Sequence, residues 1–380
     1  MPARHPASIL THFASLPDPR RARRRLHHLL DLVAIAICAV IAGCDDWVEV
    51  AAYGRRKRDW LMTFLPLPNG IPGHDTFSRV FSLLDPRAFQ RCFTRWIEAL
   101  QTVAGGKLVA IDGKTLRHSS DTAAGKNALH LVSAWAGQNR LVLGQQAVDG
   151  HSNEITAIPE LLALLDLKGA TVTLDAMGCQ EEVVEAIRAQ GADYVITVKG
   201  NQGTLYDDLS DFFIDCLDSD FRGVPHRSHK RVEHNHGRHE TRHYYVAGVP
   251  AALRTRGQWR DLRAVGMVYA ERQVGDEEPA GEARFFISSL GPEVKAFARA
   301  VRGHWGIENG LHWVLDVAFG EDASRVRKDH GPENLAWLRR VAVSLLGNEP
   351  TQASIKCKRK MAGWDNDYLM RILLGHSGDS

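Results

Sequence analysis

Cysteine is scarce in this 380-residue chain and follows no pattern. Cys38, Cys44, Cys92, Cys179, Cys216 and Cys357 form no C-x-x-C pair and share no spacing, which excludes a zinc ribbon and a disulfide framework and fits a reducing compartment. A membrane-spanning run is missing too. The most apolar stretch, "LVAIAICAVIAGC" at 32–44, falls short of the roughly 20 residues a bilayer span requires. Its Arg-rich approach and "VIAGC" end imitate a lipoprotein signal. However, Asp31 opens the run and "DDWVEVAAYGRRKRDW" continues it as an amphipathic pattern, so a buried core helix is expected. Internal repeats and low-complexity tracts are absent. Neither sign of charge dominates, with 47 Lys and Arg against 45 Asp and Glu and a formal net charge of +2.

What is present is an ordinary globular composition, 44% hydrophobic and 24% charged, long enough for a sizeable core and two or more domains. The small net charge hides a local excess: residues 1–30 carry Arg4, Arg20, Arg21, Arg23, Arg24 and Arg25 against Asp18 alone. Such an arm suits phosphate contacts, and a solvated terminus would read the same way.

Residues 1–105 read as a helical N-terminal domain, with helices in "LLDLVAIAICAVIAG", "WVEVAAYGRRKRDWLMTFL" and "DPRAFQRCFTRWIEALQTV" and a loop at "PLPNGIPGHD". From 106 short strands take over: "KLVAID", "ALHLVSAWAG" and "RLVLGQQAV", with Gly137-Gln138-Asn139 as a hairpin turn. Helix "EITAIPELLALLDL", strand "ATVTLD", helix "CQEEVVEAIRAQ" and strand "DYVITVK" follow. Hairpin strands succeeded by alternating helix and strand predict an α/β core with a mixed sheet covered by helices, its first part at 106–200. Polar, β-leaning sequence at 201–291 reads as an insertion. A long helix then runs from near Val294 past Trp313, "GPENLAWLRRVAVSLL" forms another within the returning core at 292–346, and 347–380 is a basic tail whose "SIKCKRK" reads as solvated.

Three acids stand out. "LVAIDGKTLRHSS" leads an apolar strand into Asp112, and "ATVTLDAMGCQ" does the same for Asp175. An Asp-Gly pair after a strand is a common turn. If the two strands are parallel neighbours, both carboxylates reach one edge of the sheet, close enough to share a cation. In "VRGHWGIENGLHWVLD", Val294, Phe297, Val301, Trp305, His312 and Leu315 form one helical stripe, and Glu308 falls within it. An acid on a face meant for burial needs a cation, a hydrogen-bonding partner or a wet cleft. His304 and His312, one turn to either side, could supply a salt bridge, whereas a divalent metal held by Asp112, Asp175 and Glu308 would account for all three acids.

With these motifs in view, the chain resembles DDE transposases of bacterial insertion sequences, most closely the H-repeat-associated (ISAs) group. "AIDGKTLRHS", "VTLDAMGCQ", "DYVITVKGNQ", "HWGIENGLHWVLDVAFGEDASR" and "GPENLAWLRRVAVSLL" carry the resemblance over almost the whole chain. It implies an RNase H-like catalytic core, a β-rich insertion between the second and third acids, and catalytic, metal-holding acids at Asp112, Asp175 and Glu308. It also implies Mg²⁺ or Mn²⁺, as two ions, with DNA strand cleavage and transfer at transposon ends, target DNA as second substrate, a homodimer in the synaptic complex, and a cytoplasmic, nucleoid-associated location. Related transposases carry a Tyr, Arg, Glu, Lys signature on the last catalytic helix. Here Val301, His304 and Leu315 occupy the Tyr, Arg and Lys places, and only the acid matches. Arg302, His304 and His312 are therefore expected to contact phosphate instead, joined by Lys114, by Lys199, Asn201 and Gln202 of "VKGNQGTLY", and by Arg23, Arg24 and Arg25 of the basic arm.

The histidines of "HRSHKRVEHNHGRHETRH" lack the cysteines and regular spacing of structural zinc sites, and the segment reads as a polar, DNA-facing hairpin. Two other functions use the same residues: a metal-dependent nuclease of the same fold that never joins strands, and a domesticated DNA-binding protein with a dead site. The first is separated by testing whether the 3'-hydroxyl joins a second DNA. The second is disfavoured by the presence of all three acids.

Overall fold

The structure is a computed structural model that describes residues 9–100, 108–120, 125–148, 153–235, 238–274 and 280–374. Arg4 of the basic arm lies outside them. The N-terminal region is helical: α1 (Ile9–Phe13), α2 (Leu29–Ile41), α3 (Trp47–Arg56), α4 (Arg58–Leu61), α5 (His74–Leu83) and α6 (Pro86–Leu100). Strands β1 (Leu108–Thr115), β2 (His130–Ala136) and β3 (Leu141–Val148) follow, then α7 (Glu154–Leu162), β4 (Thr171–Leu174), α8 (Glu181–Ala189), β5 (Asp193–Val198) and α9 (Gly203–Asp218). Four strands, β6 (His226–Asn235), β7 (Arg238–Gly248), β8 (Ala264–Val274) and β9 (Ala280–Ser288), lead into α10 (Val294–Ile307), a π-helical turn (Glu308–His312) and α11 (Trp313–Phe319). The chain closes on α12 (Gly331–Asn348), α13 (Ile355–Trp364) and α14 (Asn366–Leu374).

The sheet order is β3-β2-β1-β4-β5-β9-β8-β7-β6. Its first five strands, with β2 antiparallel to β3 and β4 parallel to both β1 and β5, have the RNase H-like arrangement. The expected insertion is β-rich, but it opens with the helix α9, and its strands extend the core sheet: β9 pairs antiparallel with β5 from Val195↔Ser288 to Val198↔Phe285. The histidine-rich segment is the β6–β7 hairpin. His234 and His239 are cross-strand partners with their Nδ1 atoms 2.6 Å apart, and His226 stacks on Phe221. His236 lies outside the described residues.

By contact density the chain forms two units, one of residues 1–104, 113–151 and 308–380, the other of residues 105–112 and 152–307. The first unit is built on α2 and α12. Leu32 through Ile41 are buried along the whole of α2, which is why that stretch is apolar on every side. Among the described residues no helix is long and apolar enough to cross a membrane. α12 is buried from Gly331 to Leu346 except at Glu333, and it carries polar groups inside: Asn334 donates to the Phe81 and Leu84 carbonyls, and Arg340 pairs with Glu321 at 2.8 Å with neither side chain exposed. The basic tail is only partly solvated: Lys356 and Lys360 are exposed, but the two basic residues between them are not. α13 buries Lys358, which donates to the Leu346 carbonyl, and Arg359, whose guanidinium reaches the Val40 carbonyl and Asp45 and lies 4.0 Å over the Phe319 ring. Burial of the long aliphatic stems outweighs the charge because each head finds oxygen acceptors.

In the second unit α10 lies on the sheet. Phe297, Ala298, Ala300 and Val301 pack with Val195, Tyr244, Val246, Ala264, Val268 and Phe286 in one cluster. The same helix approaches β1 so closely that a Cβ on Gly303 would lie 2.0 Å from Leu108 Cδ2.

Removing Glu321 strands the Arg340 charge in the core. Glu321→Ala should therefore lower unfolding free energy by about 3–5 kcal/mol, and replacing both partners with apolar residues of similar size should recover most of the loss. Urea midpoints measure both. A single-variant loss below about 1 kcal/mol would mean that the pair does not hold α12 in place.

Candidate active site

Leu108–Ile111 pair in parallel with Thr171–Leu174, one to one. Asp112 and Asp175 each follow the last of those pairs, so the register delivers both acids to the same edge of the sheet. They arrive differently. β1 continues through Asp112 and Gly113 to Thr115, which removes the turn as an explanation for that Asp-Gly pair. Asp175 ends β4 and caps the 3-10 turn Ala176–Gly178, its Oδ1 accepting from Met177 N–H at 3.0 Å and Gly178 N–H at 3.4 Å.

Burial raises the Asp175 pKa above the ordinary carboxylate value, the Glu154 carboxylate adds to it, and the two backbone N–H groups and Lys199 pull the other way. The balance disfavours the charged form, and a cation beside Asp175 would reverse that.

Glu308 opens the π-helical turn between α10 and α11. π turns insert a residue into the helical ladder and recur at functional sites. The expected stripe put Glu308 on the buried face. Instead the wider turn carries it outward, its side chain 55% exposed, while Leu311 and His312 turn inward. His312 Nδ1 lies 3.3 Å from Glu308 Oε2, so the histidine one turn on does supply the acid with a partner.

Glu308 and His312 each offer one ligand atom on the same turn, a carboxylate beside an imidazole, and the exposure of Glu308 leaves it open to water and substrate. Asp112 and Asp175, at the sheet edge, are the two carboxylates that the strand register brings together. Glu308 and His312 are spaced i,i+4, so they share a helix face, and that spacing was the available signal for His312 as a ligand rather than a phosphate contact.

The other expected DNA contacts divide into committed and exposed side chains. Lys114 is a correction: only 9% exposed, it pairs with Asp316 at 2.7 Å and Asp322 at 3.1 Å, because a cation this deep needs acidic partners. Asn201 donates to the Ala176 carbonyl at 2.7 Å and Gln202 to the Cys179 carbonyl at 2.8 Å. Arg302 reaches Glu233 at 3.3 Å. His304 bonds Thr173 Oγ1 through Nδ1 at 3.1 Å, and burial pushes its pKa down to about 4, so near neutral pH it carries no charge to offer a phosphate. Lys199 is exposed. In the basic arm Arg21, Arg23 and Arg24 are exposed, whereas Arg20 chelates Asp18 and Arg25 bonds the Arg20 carbonyl, with Asp18 3.5 Å away.

Two family models together match most of the chain. The Transposase DDE domain family matches residues 104–345, and its companion family, DDE_Tnp_1-associated, matches residues 10–97. YncI of Escherichia coli O157:H7, which bears a transposase name, is 39% identical over 370 residues, 96% of this chain and 94% of its own. The H repeat-associated YhhI of E. coli strain K12, likewise named, is 37% identical over 372 residues, 97% and 98% of the two chains. Among solved structures, the piggyBac transposase synaptic complex with hairpin DNA overlaps at a TM-score of 0.42 with 11% identity, covering 98% of this chain and 79% of that one.

The depressed pKa of His304 sets the sign of a pH effect. The folded state keeps His304 neutral down to about pH 4, whereas the unfolded chain protonates it near pH 6.5, so the unfolded state binds more protons in between and stability falls as pH drops through that window. Replacing His304 with Gln, which retains a hydrogen-bonding group for Thr173, should flatten this part of the stability profile. Melting temperatures at pH 7 and pH 5 measure it, and an unchanged difference between wild type and variant would refute it.

Proposed function

The chain belongs to the DDE transposase family of bacterial insertion sequences, and from that premise we propose that Asp112, Asp175 and Glu308 are its catalytic acids, acting on transposon ends and then on target DNA. The observation that carries this reading is the register of β1 and β4, which delivers two acids to one sheet edge; the third acid, Glu308, opens an exposed π turn with His312 beside it. Oxygen-rich donors favour Mg²⁺ or Mn²⁺, and a pair of ions suits the chemistry of strand transfer. When bound, such ions lower the pKa of an attacking hydroxyl and stabilise the leaving oxygen.

The chain's own residues do the rest. Asp112 is held in a continuous strand and so presents a fixed carboxylate. Asp175, raised in pKa by burial, would have its charged form favoured by a cation held beside it. Glu308 is open to solvent, where DNA phosphate approaches, and His312 behind it limits where the carboxylate points. Water attack on a phosphodiester at the transposon end frees a 3'-hydroxyl, which then attacks target DNA. No covalent link to the protein is needed. Two ends brought together call for a homodimer, and the exposed Arg21, Arg23 and Arg24 give the N-terminal region phosphate contacts, in a cytoplasmic, nucleoid-associated protein.

Asp112→Asn, Asp175→Asn and Glu308→Gln should each abolish Mg²⁺-dependent nicking and joining while leaving end-DNA binding intact, because the amide keeps the shape and loses the charge. Nicking at near wild-type rate in any of the three removes that residue from the site, and nicking without joining in the wild type makes the protein a nuclease.

Replacing Arg21, Arg23 and Arg24 together with Ala should make the log-log dependence of end-DNA affinity on salt shallower by up to about 3, at about 0.9 for each phosphate that is no longer neutralised. A slope equal to that of the wild type would exclude these arginines from the interface.

A further inference from the structure

The edge of the sheet that carries Asp175 has a second occupant. β5 is the parallel neighbour of β4, with Leu174 opposite Ile196, and beyond it the chain enters the 3-10 turn Gly200–Gln202. Asn201 Nδ2 donates to the carbonyl of Ala176 at 2.7 Å, and Gln202 Nε2 donates to the carbonyl of Cys179 at 2.8 Å. Those carbonyls bracket the turn Ala176–Gly178, whose N-cap is Asp175. Local bonds hold it as well: Asp175 Oδ1 accepts from Met177 and Gly178, and within the backbone Gly178 N–H reaches Asp175 O at 3.2 Å and Cys179 N–H reaches Ala176 O at 3.1 Å. From below, Gly178 lies against Leu174 so tightly that a Cβ there would come 2.5 Å from Leu174 Cδ2. The turn is therefore seated on β4 and tied down sideways by two amides from the next strand's loop.

We propose that Asn201 and Gln202 are positioning residues for the Asp175 carboxylate, clamping its turn so that the acid meets the metal without reordering the loop. This deepens the assignment of Asp175 as a metal-holding acid and rests on it. The side chains expected from the sequence to touch DNA are instead spent on the protein's own backbone. Supporting partners of metal-holding groups typically govern affinity or activity by about 10- to 100-fold.

The test uses the full chain and the isosteric variants Asn201→Asp and Gln202→Glu, which keep size but lose the donor, beside Asn201→Ala, Gln202→Ala and Asp175→Asn. Four quantities are read: end-DNA affinity and its salt slope, the Mn²⁺ concentration for half-maximal nicking, Mn²⁺ binding to the DNA-free protein by calorimetry, and amide hydrogen exchange over residues 176–180. The clamp predicts faster exchange in that segment, Mn²⁺ binding and half-saturation weakened about 10- to 100-fold with nicking restored at high Mn²⁺, and DNA affinity and salt slope within twofold of wild type. Weaker DNA binding with an unchanged Mn²⁺ requirement makes these residues DNA contacts and overturns the proposal. So does unchanged exchange with wild-type metal demand. Should the acidic variants melt early, the alanine variants, which add no repulsive charge, give the same discrimination. If Asp175→Asn nicks like wild type, the assignment of Asp175 falls and the clamp with it; if that variant is dead while the Asn201 and Gln202 variants keep wild-type metal demand, the clamp alone falls.

Discussion

The parallel pairing of Leu108–Ile111 with Thr171–Leu174 is the constraint on which the rest depends. Parallel strands are buried on both faces, so β1 is written here in Leu, Val, Ala and Ile and β4 in Val, Leu and the β-branched Thr, and the first carboxylates along each strand come where the pairing ends. A slip of one residue would leave Asp112 and Asp175 out of step and turn every side chain of one strand to the opposite face. Apolar burial thus fixes the placement of two acids that it does not itself stabilise.

The third acid is placed by a different device. α10 is held to the sheet by Phe297 and Val301 and comes within touching distance of β1 because residue 303 has no side chain. The π turn that follows changes the helical phase, so Glu308 faces water while His312 is buried behind it. A regular helix would have extended the buried stripe through Glu308. One irregular turn turns a costly buried acid into a usable one.

Elsewhere, polar residues that look available in a linear chain are consumed by the fold. Lys114 pairs with Asp316 and Asp322, Arg20 with Asp18, and Arg359 with Asp45 and the Val40 carbonyl. Each satisfies a group that burial would otherwise leave costly. Charge is consequently a poor guide to nucleic-acid contact here; of the expected contacts, Arg23, Arg24 and Lys199 are exposed, and Arg21 beside them is exposed as well.

The amino-acid sequence by itself determined the class of the fold and the order of strands and helices from β1 to β5, and it singled out the three acids proposed as catalytic, because these depend on local periodicity and on motifs shared with a known family. It also marked the apolar run at 32–44 as a core helix, and Leu32–Ile41 are buried within α2. Only the tertiary structure decided that the inserted strands extend the core sheet, that the basic tail folds inward as α13, that Glu308 faces out, and that Asn201 and Gln202 reach back to the Asp175 turn. The physical reason is the same in each case. Periodicity records which face of an element is apolar, whereas the partner of a polar side chain is set by segments far along the chain, as with Arg359 and Val40, 319 residues apart.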